Sequence, residues 1–415
     1  MLLLFRALQA AGSASTVSIG NGVIQDMIPA SERGGFMSFY QAIRNFSIAG
    51  GPVIGGILTK FLGFRSIFIF LLIISSITIL AIVLFLPETL RSIAGDGSLP
   101  LAGIHQPLIR RLMWTSDDLV RSEAPFVRPP IMLRTFFEPL LLLKQKGIVL
   151  NLVFGSVVYA IWSMVTSSTT ALFHQSFRLN ELQLGLVFVP NGTCHRLPSR
   201  RLGTRSTLPL GVPFTAVKAD AILLMRCIGL GTIFGSMVIG ILMDRSFKQA
   251  EADYRSQHDP SSFLGAKENS LPANFPIERA RLKHIPWITT LFVVSTAAYG
   301  FSLNSRSLAE RPGWIAVPLI LQFFIAATSN AVFAINQTLV SDLCPGKGAS
   351  STAINNLFRC SVGAVGVAFI DTMISAMGVG PAFAGLGLVT IIVSPLCVIQ
   401  WYWAMSWRAG RMSSK

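Results

Sequence analysis

Residues 65–86 read RSIFIFLLIISSITILAIVLFL, an apolar run whose only charge is Arg65 at its start. About 20 mostly apolar residues, rising ~1.5 Å each, cross the hydrocarbon core of a bilayer as a helix. The run is continuous. A strand of a membrane barrel would alternate over about ten residues instead. Comparable runs occur at 2–24, 37–59, 148–172, 285–303, 313–336, 351–376 and 382–404. A ninth span is split: 184–192 (LGLVFVPNG) begins one, and 230–242 (LGTIFGSMVIGIL) ends one. The expected fold class is therefore an all-α polytopic membrane protein, with the lipid bilayer as its medium.

Composition agrees. The 415 residues are 52% hydrophobic and 13% charged, with mean hydropathy +0.59. Soluble domains carry roughly 25% charged residues. Half that fraction cannot cover a soluble surface of this length, and the same numbers exclude disorder. The net charge of +15 would suggest nucleic acid as a partner in a soluble protein. Here it reads as basic loops on the cytoplasmic side, so no nucleic acid is expected. The five cysteines contain no CxxC pair, so neither a disulfide framework nor a metal site is predicted. The opening MLLLFRALQ lacks the basic start and small-residue cleavage site of a signal peptide.

Two long polar stretches, 87–147 and 244–284, separate groups of spans and read as cytoplasmic loops, each with room for a short surface helix. The expected organisation is a first bundle over 1–86, a central loop over 87–147, a second bundle over 148–405 and a cytoplasmic tail over 406–415. Segment 193–229 interrupts the split span with six basic residues, one acid and three prolines. It is expected to be an insertion foreign to the fold, such as a translated intron. The alternative is a genuine extra loop, with the span built from about 221–243. Outside that segment and the spans, the proposed cytoplasmic side holds 20 basic residues and the opposite side 5. That ratio places the C-terminus in the cytoplasm.

Several motifs then carry a resemblance. FRALQAAGSAS (5–15) is similar to the fourth-helix motif of the major facilitator superfamily, through Arg6, Gln9 and Gly12. DMIPASERGG (26–35) resembles the link that follows, and IAGGPVIGGIL (48–58) the fifth-helix antiporter motif, through Gly51, Pro52, Gly55 and Gly56. LPETLRSIAGDGS (86–98), FPIERARLKH (275–284) and DLCPGKGASSTAINNLFRC (342–360) look like the fungal drug:proton antiporters, in their quinidine-resistance-type branch. The resemblance implies a twelve-helix bundle of which about nine helices are present, the family's first three being absent. It also implies a small-molecule substrate, a proton as the coupling ion, and a place in the plasma membrane or, alternatively, the vacuolar membrane. No cofactor is implied.

Charges inside spans are costly and ask for a reason. By family analogy Arg6 faces the cavity and takes part in proton coupling; otherwise it snorkels to the interface. Arg359 is expected to meet helix-end carbonyls or a loop acid. Asp371, 12 residues further on, falls on another face. It reads as a solvated interface residue or as a proton carrier. Tyr159, Trp162, Thr166 and Thr170 line one side of the expected seventh family helix, the last three spaced by four. Asn330, Asn355 and Asn356 add polar groups. Such aromatic and amide walls suit amphipathic or cationic organic molecules, although each polar group could equally serve helix packing. Glycines 51, 55 and 56 would let a neighbouring backbone approach, and Pro52 would kink its helix.

Intramembrane enzymes need His/Asp/Glu clusters within spans, and none is seen; no phosphate-binding loop for ATP occurs. Sequons at 45, 191 and 336 fall in or beside spans. Two functions therefore stand: a proton-coupled exporter of drugs or other small organic molecules or cations, and a transport-inactive membrane fragment or sensor.

Overall fold

The computed structural model describes residues 2–63, 65–86, 89, 108–109, 139–177, 227–257, 275–304, 314–344 and 347–413. Among them are eleven α-helices and one 3-10 turn. The helices are α1 (Leu2–Met27), α2 (Ala30–Leu62), α3 (Arg65–Phe85), α4 (Lys146–Phe177), α5 (Cys227–Gln257) and α6 (Ile277–Leu282). They continue with α7 (Ile285–Asn304), α8 (Ala316–Leu343), α9 (Gly348–Met377), α10 (Val379–Val393) and α11 (Pro395–Ser413). Six stretches are long and apolar enough to cross a membrane: Arg65–Phe85, Lys146–Phe173, Ile277–Asn304, Ala316–Leu343, Gly348–Met377 and Val379–Arg408. Helices α1, α2 and α5 have the length but more polar content; α2, for example, holds Glu32, Arg33, Arg44 and Lys60.

Residues 184–192 and most of 193–229 lie outside the described residues. Cys227, Ile228 and Gly229 already belong to α5, continuous with 230–242. The short helix within 244–284 is α6, and it is not a surface helix: Ile277, Glu278, Ala280, Arg281 and Leu282 are all buried. The last span is two helices meeting at Ser394. Pro395 has no N–H for the Ile391 carbonyl, and the Ser394 hydroxyl donates to that carbonyl instead at 2.8 Å.

The apolar core among the described residues lies in the second bundle, where Phe154, Ile161, Phe247, Phe292, Tyr299 and Phe383 are nearly inaccessible. Helix α3 buries nothing and presents its apolar side chains outward all round. Helix α2 joins the two bundles by packing on α5 and α8, and α1 packs on α9.

Among the described residues the close backbone approaches are not made at Gly51 or Gly55 of the antiporter motif. A Cβ at Gly51 or Gly55 meets nothing within 4 Å, and α2 runs unbroken through Pro52. The side chain of Pro52, and Gly56, lie outside what is described. The close approach is made by α5. A Cβ at Gly231 would stand 2.6 Å from the Phe323 carbonyl oxygen, one at Gly235 would overlap the Ala327 backbone of α8, and one at Gly240 would stand 2.7 Å from Ser38 Cβ of α2. Backbone cannot yield as a flexible side chain does. Gly235→Ala is therefore expected to lower the melting temperature in detergent clearly, by an overpacking cost of roughly 1–3 kcal/mol. Gly51→Ala should leave it unchanged or raise it slightly, as Ala favours helix by about 1 kcal/mol. Equal effects at the two positions would refute this assignment of the contacts.

Candidate functional site

Two arginines meet between the bundles. Arg44 sits midway along α2 and Arg359 within the first half of α9; both line a cavity of about 200 Å³ with Gln41, Asn45, Tyr159, Trp162, Asn330 and Phe333. A smaller recess shares Gln41, Arg44, Phe333 and Arg359 and adds Asn336, Gln337 and Asn355. Helices α2, α4, α8 and α9 thus supply the walls, with Val17 of α1 beside them.

Among the described residues Arg359 meets neither the helix-end carbonyls nor a loop acid that its sequence position suggested. Its guanidinium stands 4.6 Å from the centre of the Tyr159 ring and 5.5 Å from that of Phe333. Stacking on two faces fixes the plane of the group and leaves its edge for hydrogen bonds. Its Nη2 donates to Asn356 Oδ1 at 2.9 Å, from the next turn of the same helix. Its Nε finds no acceptor among the described residues, and neither does the buried Nε2 of Gln41. Neither Arg44 nor Arg359 has an acidic partner among the described residues. Both atoms of the Asn336 amide are buried and unbonded.

The remaining amides are held in place. Asn45 Nδ2 donates to Asn330 Oδ1 across the α2–α8 contact. Asn355 Nδ2 donates to Gln337 Oε1 at 2.8 Å, and Gln337 Nε2 to Thr352 Oγ1 at 2.6 Å. These bonds orient the cavity wall through partners that are themselves fixed.

Of the residues expected from sequence, Tyr159, Trp162, Asn330, Asn355 and Arg359 line these spaces. Asn356 reaches them by orienting Arg359. Thr166 belongs with Trp162 to a separate small pocket beside Thr169 and Gln322, and its hydroxyl donates to the Trp162 carbonyl. Gln9 and Asp371 are exposed on their helices and line neither space. The side chains of Arg6 and Thr170 lie outside the described residues. Sequence reasoning did not join Arg44 to the site. Its neighbours gave the signal, since Gln41, Arg44 and Asn45 lie at helical spacing on one face.

A second constellation closes the end that the basic loops assign to the cytoplasm. Asp342, at the end of α8, has a wholly buried side chain. It accepts from Arg33 of α2 at 2.6 Å and from Arg281 Nε of α6 at 2.9 Å. Arg281 Nη1 stands 3.6 Å from Asp244 Oδ1, with its guanidinium 4.4 Å from the Phe247 ring centre. Asp244 Oδ2 accepts from the Gly35 N–H at 2.8 Å. Burial pushes the Asp244 carboxyl up, against Arg281 and that N–H, which pull it down. Glycines 34 and 35 leave room for Asp244, since a Cβ on either would strike it. Gln25 of α1 donates to the carbonyls of Ser341 and Cys344, both at 2.8 Å, capping α8. Five elements from both bundles are thus tied at one end.

An all-helical fold with a polar cavity between its helices and a charged clamp at one end suits a secondary transporter. The family model of the Major Facilitator Superfamily matches residues 1–250. Citrate exporter 1 of Aspergillus niger is 38% identical over 410 residues, covering 99% of this chain and 70% of that protein. The chain belongs to the Major Facilitator Superfamily: it is a multi-pass membrane transporter and not an enzyme. MFS-type transporter clz19 of Cochliobolus lunatus is 26% identical over 100% of the chain and 69% of its own length. Multidrug transporter QDR2 of Candida glabrata is 25% identical over 94% of the chain and 62% of its own length. The chain is thus nearer the citrate exporter than the multidrug transporter.

Proposed function

We propose that the chain moves a small organic anion, a polycarboxylate of the citrate kind, out of the cell across the plasma membrane. The observation that carries this reading is the pair Arg44 and Arg359 in one cavity without an acidic partner among the described residues. Two like charges in a low-dielectric space repel, and an anion with two carboxylates relieves that repulsion while accepting from the donors of Gln41 and Arg359. The similarity to a citrate exporter supports the same substrate class. Organic cations, expected from the aromatic wall, are disfavoured because the Arg359 guanidinium already covers Tyr159 and Phe333.

The driving force also changes. Among the described residues no Asp or Glu lines the cavity or its recess, so a carboxylate proton relay has no support there. Export of an anion from an inside-negative compartment gains about 2.3 kcal/mol per charge per 100 mV. In proteoliposomes loaded with labelled citrate, an inside-negative potassium diffusion potential is expected to speed efflux severalfold. A pH gradient alone should do little. Efflux that follows only the pH gradient would overturn potential-driven export. Transport of an organic cation with none of citrate or other di- and tricarboxylates would overturn the anion reading itself.

A further inference from the structure

A second cavity, of about 230 Å³, lies at the clamped end, outside the bundle interior and away from the two arginines. Lys144, Gln145, Lys146 and Gly147 line it from the start of α4, Glu278 from α6 and Trp407 from α11. This is where the spans of α4 and α11 reach the membrane boundary, by their apolar runs 148–172 and 382–404.

The wall is of two kinds. Lys144 and Lys146 are exposed cations; at the start of α4 the Ile148 and Val149 N–H groups donate to the Gln145 carbonyl, which leaves the N–H groups of Lys146 and Gly147 without an acceptor among the described residues. Together they favour a phosphate. Opposite them stand two buried acceptor oxygens that accept no hydrogen bond among the described residues, one of them in an ion pair. Glu278 is 2% exposed, its Oε2 accepts no hydrogen bond, and Arg408 stands 3.5 Å away as its ion partner. Gln145 Oε1 is also buried and unbonded. Glu278 and Arg408 cancel, so the two lysines leave the site at +2. A ligand must therefore be anionic and must also donate hydrogen bonds beside its phosphate. A zwitterionic amine headgroup meets the second demand but not the first.

We infer that this cavity binds an inositol phosphate group: phosphate on Lys144, Lys146 and the α4 start, ring hydroxyls donating to Glu278 and Gln145. The half-buried Trp407 ring suits the interface depth of such a group. Basic pockets between spans on the cytoplasmic side take anionic headgroups in this way. Leu343, adjoining Asp342, also lines the cavity, so an occupant rests on the helix end that carries the clamp. The inference is independent of the transported substrate.

The test uses the purified full chain in detergent micelles, titrated by thermophoresis with dihexanoyl phosphatidylinositol 4-phosphate. Dihexanoyl phosphatidylethanolamine and free inositol 1,4-bisphosphate form the other arms. The phosphoinositide should bind and the ethanolamine lipid should not. Lys144→Ala with Lys146→Ala should weaken binding about 25-fold, roughly fivefold per lysine, with an unchanged melting temperature because both are exposed. Equal affinity for the free bisphosphate would identify a soluble inositol phosphate as the ligand; a lipid-only response would identify the headgroup. Equal binding of the ethanolamine lipid, or undiminished binding by the double variant, overturns the inference.

Discussion

Arg359→Gln is expected to cut citrate transport roughly 100-fold or more while leaving the fold as stable as before. Truncating one side of a buried, hydrogen-bonded charge pair costs about 2–5 kcal/mol in binding, and each 1.4 kcal/mol is about tenfold. The usual penalty for removing a buried charge is the opposite charge left behind. Here none is left, because Arg359 has no acidic partner among the described residues. The variant also removes a like charge close enough for Arg44 to feel. The melting temperature without substrate should therefore hold or rise as transport falls. Arg44→Gln should behave the same way. Arg359→Lys keeps the charge but loses the planar fork stacked on Tyr159 and Phe333, so an intermediate loss is expected. A radiolabelled efflux assay beside a melting curve checks all three. A parallel fall of transport and stability would assign the arginines to folding instead.

Asp342→Asn is expected to act in the opposite sense, on stability first. Its carboxylate answers two buried guanidiniums, and breaking a buried pair from one side costs about 3–5 kcal/mol. Asp244 compensates little, since it stands 3.6 Å from Arg281. A melting temperature lower by more than about 5 °C is the expected readout. Opening of the same end should also expose the buried thiol of Cys344, whose carbonyl Gln25 now holds. With Cys194, Cys227, Cys360 and Cys397 replaced, maleimide labelling at Cys344 should rise in the variant. The exposed pair Lys248–Glu32, 3.8 Å apart, is the comparison. Lys248→Ala should shift stability by less than about 1 kcal/mol. Equal effects at the two pairs would show that burial does not set the strength of this clamp.

How much of this was legible follows from what sequence encodes locally. The α3 run reads itself, because 21 nearly uninterrupted apolar residues admit one reading. Arg359 was found for the same reason, a charge within an apolar helix. Its ring partners could not be found: Tyr159 and Phe333 come from α4 and α8, and periodicity says nothing about which helices touch. Nothing in the local sequence marks Asp342, whose carboxylate is buried against Arg33 and Arg281, 309 and 61 residues away. The glycines show a different failure. The run around Pro52 drew the eye by density, whereas Gly231 and Gly235, at the plain GxxxG interval, make the backbone contact with α8. Density of small residues is a weak guide; spacing on one face is the physical signal.

Helices α2 and α8 are fastened to each other twice, by Arg33–Asp342 and by Asn45–Asn330. The two fastenings are twelve residues apart on each helix, in opposite chain directions, or about 18 Å. They form two rungs of one antiparallel ladder. A ladder with equal rung spacing resists sliding, since any shift of register breaks both rungs together. It yields only by swinging about one of them. The inner rung is a neutral amide pair, worth about 1 kcal/mol net, and it borders the cavity; the outer rung is a buried ion pair. Swinging about the ion pair therefore opens the cavity toward the far side of the membrane at low cost. Opening at the clamped end must break the stronger rung, so that movement is expected to be the more costly of the two.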